Sequence, residues 1–281
     1  MDIEQLHAVR SAELACILPV LAELAGSAGT AEPRILELGS GTGWQARQLA
    51  DHGYRVEAID IAASNYAEEQ IWPITVYDGR NIPFPDAHFD VLLSSNVLEH
   101  IPHLAEFHDE MRRVIKPRGV ALHLVPSGTW RLWTNLAHYP FVAKSAVRAV
   151  LARLARTANG TGRAAGGASA SGGERAPERA PSPARRSVPT LLRGALLPAR
   201  HGETGNALSE VYHFSRLGWR RLFERNGWTV RQASGNGLTY TGHMLFGSAV
   251  PHAARRLASR VMGGSCHVFV LEKAGGRPAR E

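Results

Sequence analysis

The stretch RILELGSGTGWQARQLA, Arg34 to Ala50, decides how the chain folds. An apolar run ends at Leu38, three glycines spaced two apart follow, and a helix-forming segment comes next, so the order expected is strand, tight turn, helix. Gly39, Gly41 and Gly43 are expected to let the backbone approach a ligand where a Cβ would collide. The start of the following helix favours an anionic group. A dinucleotide fingerprint needs glycine or alanine at position 44, where Trp44 stands, and a phosphate loop needs a lysine that the stretch lacks. Glu37, an acid at the strand end, suits a cationic ammonium or sulfonium better than a pyrophosphate.

Outward from this unit, short apolar runs alternate with helical patterns. RVEAID (55–60), ITVYD (74–78), FDVLLSS (89–95) and VALHLVP (120–126) read as strands, with helices at 43–53, near Ala62 to Gln70, and at 104–119. This alternation predicts an α/β fold with a parallel sheet wound on both faces. Further on, SRLGWRRLFERNG (215–227) reads as a helix with Ser215 as N-cap and Gly227 as stop. WTVRQAS (228–234) and CHVFVLEK (266–273) complete seven strands in a single domain over 1–281. The amphipathic N-terminal segment, with Ile3, Leu6, Leu14, Ile17, Leu18 and Leu21 near helical spacing, predicts a helix packed on the domain. An inserted lid or linker, 127–210, follows strand five. Its part from 157 to 190 is built of Ala, Gly, Ser, Pro and Arg, too little apolar surface to offset ordering entropy, so disorder is expected there.

Composition narrows the partners. The formal charge is +7, but nine arginines against three glutamates between Leu151 and Gly205 account for six of the seven, so the remainder is nearly neutral and no obvious nucleic-acid binder. Cys16 and Cys266 form no CxxC pair, which fits a reducing cytoplasm. The acidic N-terminal segment is unlike a signal peptide. The longest apolar stretch, Leu132 to Ala143, is too short for a membrane span and contains Pro140.

ELGSGTG (37–43) resembles the first motif of the class I S-adenosylmethionine-dependent methyltransferases, Glu/Asp-x-Gly-x-Gly-x-Gly, and matches it at every defined position. IPFPDAHFD (82–90), SNVLEHIP (95–102) and RVIKPRGVALHLVPS (113–127) resemble the small-molecule branch of that family. The likeness covers Arg34 to Pro126 well, the last two strands loosely and the insertion not at all. It implies a Rossmann-like, doubly wound seven-stranded sheet, mostly parallel with an antiparallel last strand. It implies S-adenosylmethionine as cofactor, with Gly39, Gly41 and Gly43 around its methionine part and Glu37 acting through the amino group. Asp60, beside Ile61, would take the ribose hydroxyls, or else cap a helix. Asp78 with Gly79 would read the adenine amine, or else form a surface turn. Asn96 would touch the cofactor through its backbone.

Methyl transfer from a sulfonium mainly needs alignment and exclusion of water. A base helps when the acceptor is a hydroxyl, and His100 is the candidate, with a structural histidine as the alternative. His100, His103 and His108 are interrupted by Pro102, so no metal is expected. Trp130, Trp133, His138 and Tyr139, then Glu210, Tyr212 and His213, are candidates to line an acceptor pocket or simply to pack under a lid. Residues 144–156 form a basic amphipathic helix, either a solvated face or a peripheral contact at the inner membrane face.

The function these residues imply is methyl transfer to a small-molecule or glycan- or lipid-linked acceptor, at oxygen. Three rivals remain. An RNA or DNA methyltransferase is disfavoured because SSNV stands where amine-modifying enzymes have Asn/Asp-Pro-Pro-Tyr/Phe, and no cysteine sits at the rim. A non-catalytic methyltransferase-like scaffold is disfavoured by the intact glycine motif and acids, and an NAD-dependent oxidoreductase by Trp44.

Overall fold

The computed structural model describes residues 3–28, 32–64, 66–160, 198–240 and 250–275. The apolar runs flanking the glycines form the centre of a seven-stranded sheet: β1 (Arg34–Leu38), β2 (Arg55–Ile61), β3 (Thr75–Tyr77), β4 (Phe89–Ser95), β5 (Ile115–Pro126), β6 (Trp228–Gly235) and β7 (Cys266–Lys273). Their order is β3-β2-β1-β4-β5-β7-β6. The first five are parallel, and β7 runs antiparallel to both β5 and β6. Strands β1 and β4 are almost wholly buried because both sheet faces are covered, which is why they read as continuous rather than alternating apolar runs. The chain builds outward from β1 through β2 to β3 and then returns to place β4 on β1's other side. That reversal opens a crevice at the carboxyl ends of β1 and β4, the usual ligand position in such sheets.

One face is covered by α1 (Ile3–Ala28) and α2 (Trp44–Asp51), with Leu14, Ile17, Leu21 and Leu49 packing on Ile35, Leu93, Leu122 and Val270. The other carries α3 (Leu104–Val114) and α6 (Arg216–Arg225), whose Phe107, Met111, Trp219 and Phe223 meet Leu36, Leu92, Trp228 and Phe269. The Ser215 hydroxyl accepts from Gly218 N at 3.0 Å, the expected N-cap, and Gly227 follows α6 with φ +77°.

Several elements differ from expectation. Residues 62–64 and 66–70 form no α-helix; they form loop with one 3₁₀ turn, Ala67–Glu69, that buries no side chain. The loop is instead drawn onto the glycine turn, where Ile71 N donates to Thr42 O at 2.9 Å. The helix expected over 104–119 stops at Val114, and residues 116–119 lie inside β5 at a register shift opposite Phe89 and Val91. The aromatic segment and the basic stretch 144–156 are one 33-residue helix, α4 (Gly128–Gly160), whose Val147, Val150 and Leu151 are more than half exposed. Residues 157–160 are its last turn, and 161–190 lie outside the described residues. Two further helices, α5 (Ser209–His213) and α7 (His252–Met262), precede α6 and β7. Among the described residues no helix is long and apolar enough to cross a membrane.

Candidate active site

The glycine turn is held by its own amides. Gly39 N and Ser40 N donate to Ile59 O at 2.9 and 3.1 Å, and Gly43 N to Ser40 O at 2.8 Å. Gly39 and Gly43 adopt φ of +66° and +75°, where an L side chain is strained. A Cβ on Gly39 would lie 2.6 Å from Val97 Cγ2, and one on Gly43 2.5 Å from Trp72 Cβ. The missing side chains therefore clear neighbouring protein, whereas the sequence had assigned that clearance to a ligand. What Gly39 and Gly41 present to the crevice is bare backbone.

That crevice is a cavity of about 670 Å³, bordered by Gly39, Gly41, Asp60, Ile61, Asp78, Gly79, Asn96 and His100. Eight of the ten positions expected to carry cofactor or catalysis thus share one wall. Asp60 accepts from Gly41 N at 2.8 Å and Ser64 Oγ at 3.0 Å through one oxygen, and from Ile61 N at 2.8 Å through the other. It locks the glycine turn to β2 while still facing the cavity. Asp78 spends its carboxylate on a turn, accepting from Arg80 N, Asn81 N and Asn81 Nδ2 at 2.8, 2.7 and 2.6 Å. Those bonds hold its carboxyl below the ordinary range. Asn96 occupies left-handed backbone at φ +55°, an unusual state for a residue other than glycine, and turns the chain sharply at the tip of β4.

The other two expected positions, Glu37 and Gly43, lie beneath the turn. Glu37 is 3% exposed, and burial pushes its carboxyl up to about 8 despite the nearby Arg10 and a bond from Ala46 N. Its Oε2 has no hydrogen-bond partner among the described residues.

Helix α1 brings residues that no motif marks. Leu6 and Arg10 border the cavity. Arg10 pairs at 2.7 Å with Glu13, which is wholly buried. Glu13 also accepts from Tyr240 Oη at 2.8 Å and Ser95 Oγ at 3.2 Å. The His7 ring stacks on Trp44 at 4.1 Å, and the Trp44 indole donates to Ser11 Oγ at 2.8 Å. The cue in the sequence was an arginine and a glutamate three apart in an amphipathic helix.

The acceptor-side candidates scatter. His100 stands at the cavity rim, its side chain 46% exposed, and His201 approaches it edge to face with ring centroids 4.9 Å apart. Glu210, expected to line the acceptor pocket, is fully buried and pairs with Arg131 at 2.7 Å. It accepts from His201 N and Gly202 N at 2.8 Å, so it shapes the loop that carries His201. Trp130 packs edge-on against His201 at 4.8 Å. The Trp133 indole donates to Met262 O at 3.0 Å, and Tyr139 is half-exposed further along α4. Tyr212 and His213 border a second cavity of about 420 Å³, which shares Ile101 and Pro102 with the first. His103 bonds Gly79 O at 2.7 Å. His108 is a core residue that accepts from the Trp228 indole at 3.0 Å, and burial pushes it down to about 3. These two histidines do not join His100, but Glu99 and His201 do.

The cavity's chemistry fits S-adenosylmethionine. Arg10 offers a cation to a carboxylate, the unpaired Glu37 oxygen lies behind the glycine turn where a positive amino group lowers the cost of its charge, and Asp60 offers acceptors to hydroxyls. Sheet, turn and acids together define a class I S-adenosylmethionine-dependent methyltransferase domain. Within that class, residues 36–123 match the family described as methyltransferase domain. The chain is 31% identical over 135 residues to the biotin biosynthesis bifunctional protein BioHC of Cellvibrio japonicus, covering 44% of this chain and 27% of that protein. It is 36% identical over 94 residues to the 2-methyl-6-phytyl-1,4-hydroquinone methyltransferase of Synechocystis, covering 31% and 30%. It thus spans less than a third of either relative. A solved S-adenosylmethionine-dependent methyltransferase from Mesorhizobium loti superposes with a TM-score of 0.48 at 14% identity, over 92% of this chain and 98% of that one.

Proposed function

We propose that this protein methylates a hydroxyl oxygen of a small-molecule acceptor. The observation that carries this reading is the convergence of the glycine turn, Asp60, Asn96 and His100 on one cavity beside a second that opens past Ile101 and Pro102. When bound, S-adenosylmethionine supplies a methyl group already activated on a sulfonium. The chain's own residues have three tasks. Arg10 and Asp60 anchor the two ends of the cofactor, Leu6 and helix α1 cover it from water, and His100 at the rim handles the acceptor's proton. Two relatives whose names tie them to small organic molecules, biotin and a hydroquinone, support an acceptor of that size.

Calorimetric titration tests the reading. S-adenosylmethionine should bind and NADH should not. Gly41→Asp, which sets a second carboxylate against Asp60 where Gly41 N now donates, should abolish binding while the circular dichroism spectrum is unchanged. Binding of NADH alone, or unchanged affinity in the variant, would overturn it. Incubation with metabolite extracts should then give a product 14 daltons heavier.

A further inference from the structure

Where the two cavities meet, Glu99, His100 and His201 bring three metal-ligating groups to one point. Glu99 Oε1 lies 3.8 Å from His100 Nε2 and 3.8 Å from His201 Nε2, and the ligand atoms all fall within 4.8 Å of one another. These separations are too long for hydrogen bonds. The Glu99 side chain is wholly buried, yet among the described residues neither of its carboxylate oxygens has a hydrogen-bond partner. A carboxylate taken out of water without N–H donors needs a cation beside it. The ion-pairing groups that reach it, among the described residues, are these two imidazoles.

The surroundings are built to hold His201 there. The buried Arg131–Glu210 pair fixes the loop amides of His201 and Gly202 through the Glu210 carboxylate. Glu203 N donates to Glu99 O at 2.9 Å and ties the same loop to the turn that carries the other two groups. The Trp130 ring sets the His201 imidazole from the side. Supporting bonds of this kind orient ligands in metal sites.

We propose that Glu99, His100 and His201 bind a divalent transition-metal ion of the zinc type. Bonds of about 2.0–2.2 Å to all three would draw the ligand atoms to roughly 3.4 Å apart. The two partly exposed imidazoles can make that adjustment while Glu99 stays fixed. Two imidazoles and one carboxylate favour a borderline transition ion over magnesium or calcium and leave one net positive charge at the ion. Three protein ligands leave further positions open, and His100 turns the site toward the cofactor cavity. An acceptor hydroxyl that took an open position would have its pKa lowered and release its proton to water, keeping the electron pair on oxygen. Water takes that proton, and His100 acts on it only by holding the ion. The acceptor's part rests on the methyl-transfer reading above; ion binding does not.

The test is titration of the metal-stripped full chain with Zn²⁺ by calorimetry and with Co²⁺ by visible absorption, without S-adenosylmethionine. One ion per chain and ligand-field bands in the cobalt spectrum are expected. Glu99→Gln and His201→Ala should each weaken binding about 100-fold or more. His52→Ala, at the far end of α2, should leave it unchanged. No stoichiometric uptake by the wild type would overturn the site; binding that survived both ligand variants would overturn it as well. S-adenosylmethionine affinity measured on the same samples separates the two readings. Cofactor binding without ion binding sinks the metal site alone, and ion binding without cofactor binding sinks methyl transfer alone.

Discussion

Glu37 shows how burial sets the charge of one residue. Its carboxyl is raised from about 4.5 to about 8, chiefly by burial, so the folded protein holds a proton there that the unfolded chain has lost. The stabilising difference is fully present below the unfolded value and disappears as pH climbs toward 8. A Glu37→Gln variant keeps an oxygen for the Ala46 amide but does not titrate. Its stability relative to wild type should therefore rise between pH 5 and pH 8.5, by an amount on the order of a few kcal/mol. Urea denaturation at four pH values measures this, and a difference that stayed flat across the range would refute it. The positions of Glu37 and Asp60 could be read from the sequence because each sits at a strand tip at a short offset from the glycines, and that of Asn96 because it follows strand four at the carboxyl edge of the sheet. The Glu99 and His201 pairing could not: the two lie about a hundred positions apart, and an unpaired carboxylate is a property of packing alone.

At the scale of the element, α1 matters more than its apolar periodicity implied. Its inner face is core, but one turn carries Arg10 to the cavity and buries Glu13 behind it, where Ser95 and Tyr240 depend on Glu13 as an acceptor. Removing that carboxylate leaves Arg10, 23% exposed, without its counter-ion and two hydroxyls without an acceptor. Glu13→Ala should cost about 3 kcal/mol, the low end for breaking a buried pair because Arg10 keeps contact with the cavity. The Arg47–Asp51 pair on α2 has a similar i,i+4 or i,i+3 pattern in sequence but is 56% and 62% exposed. Asp51→Ala should cost less than about 0.5 kcal/mol. Equal losses in the two variants, read from urea midpoints, would show that α1 is not anchored through this network. Sequence spacing cannot tell the pairs apart, since only burial distinguishes them. The strands and α6 were legible for the opposite reason: their signals, apolar runs and a Ser215 cap, are local.

The whole molecule carries an acid sensitivity set by its two-sided core. His108, His123 and His267 are each pushed down chiefly by burial, to about 3, 3 and 4. A histidine with a depressed folded value is neutral when folded and charged when unfolded below pH 6.5, so stability is lost as pH falls through that window. Three such groups each contribute a slope of about 1.4 kcal/mol per pH unit, the less strongly lowered His7 adds a smaller part in the same direction, and Glu37, with a raised value, opposes one of the three. Two net protons remain, so stability should drop by roughly 2–3 kcal/mol between pH 6 and pH 5. His108→Gln retains an acceptor for the Trp228 indole and removes one titrating group, so its slope should be about half that of wild type. Urea denaturation at pH 7, 6 and 5 measures both slopes. Stability that held level or rose on acidification would mean these rings are hydrated in the folded protein and the core is looser on that face than its packing implies.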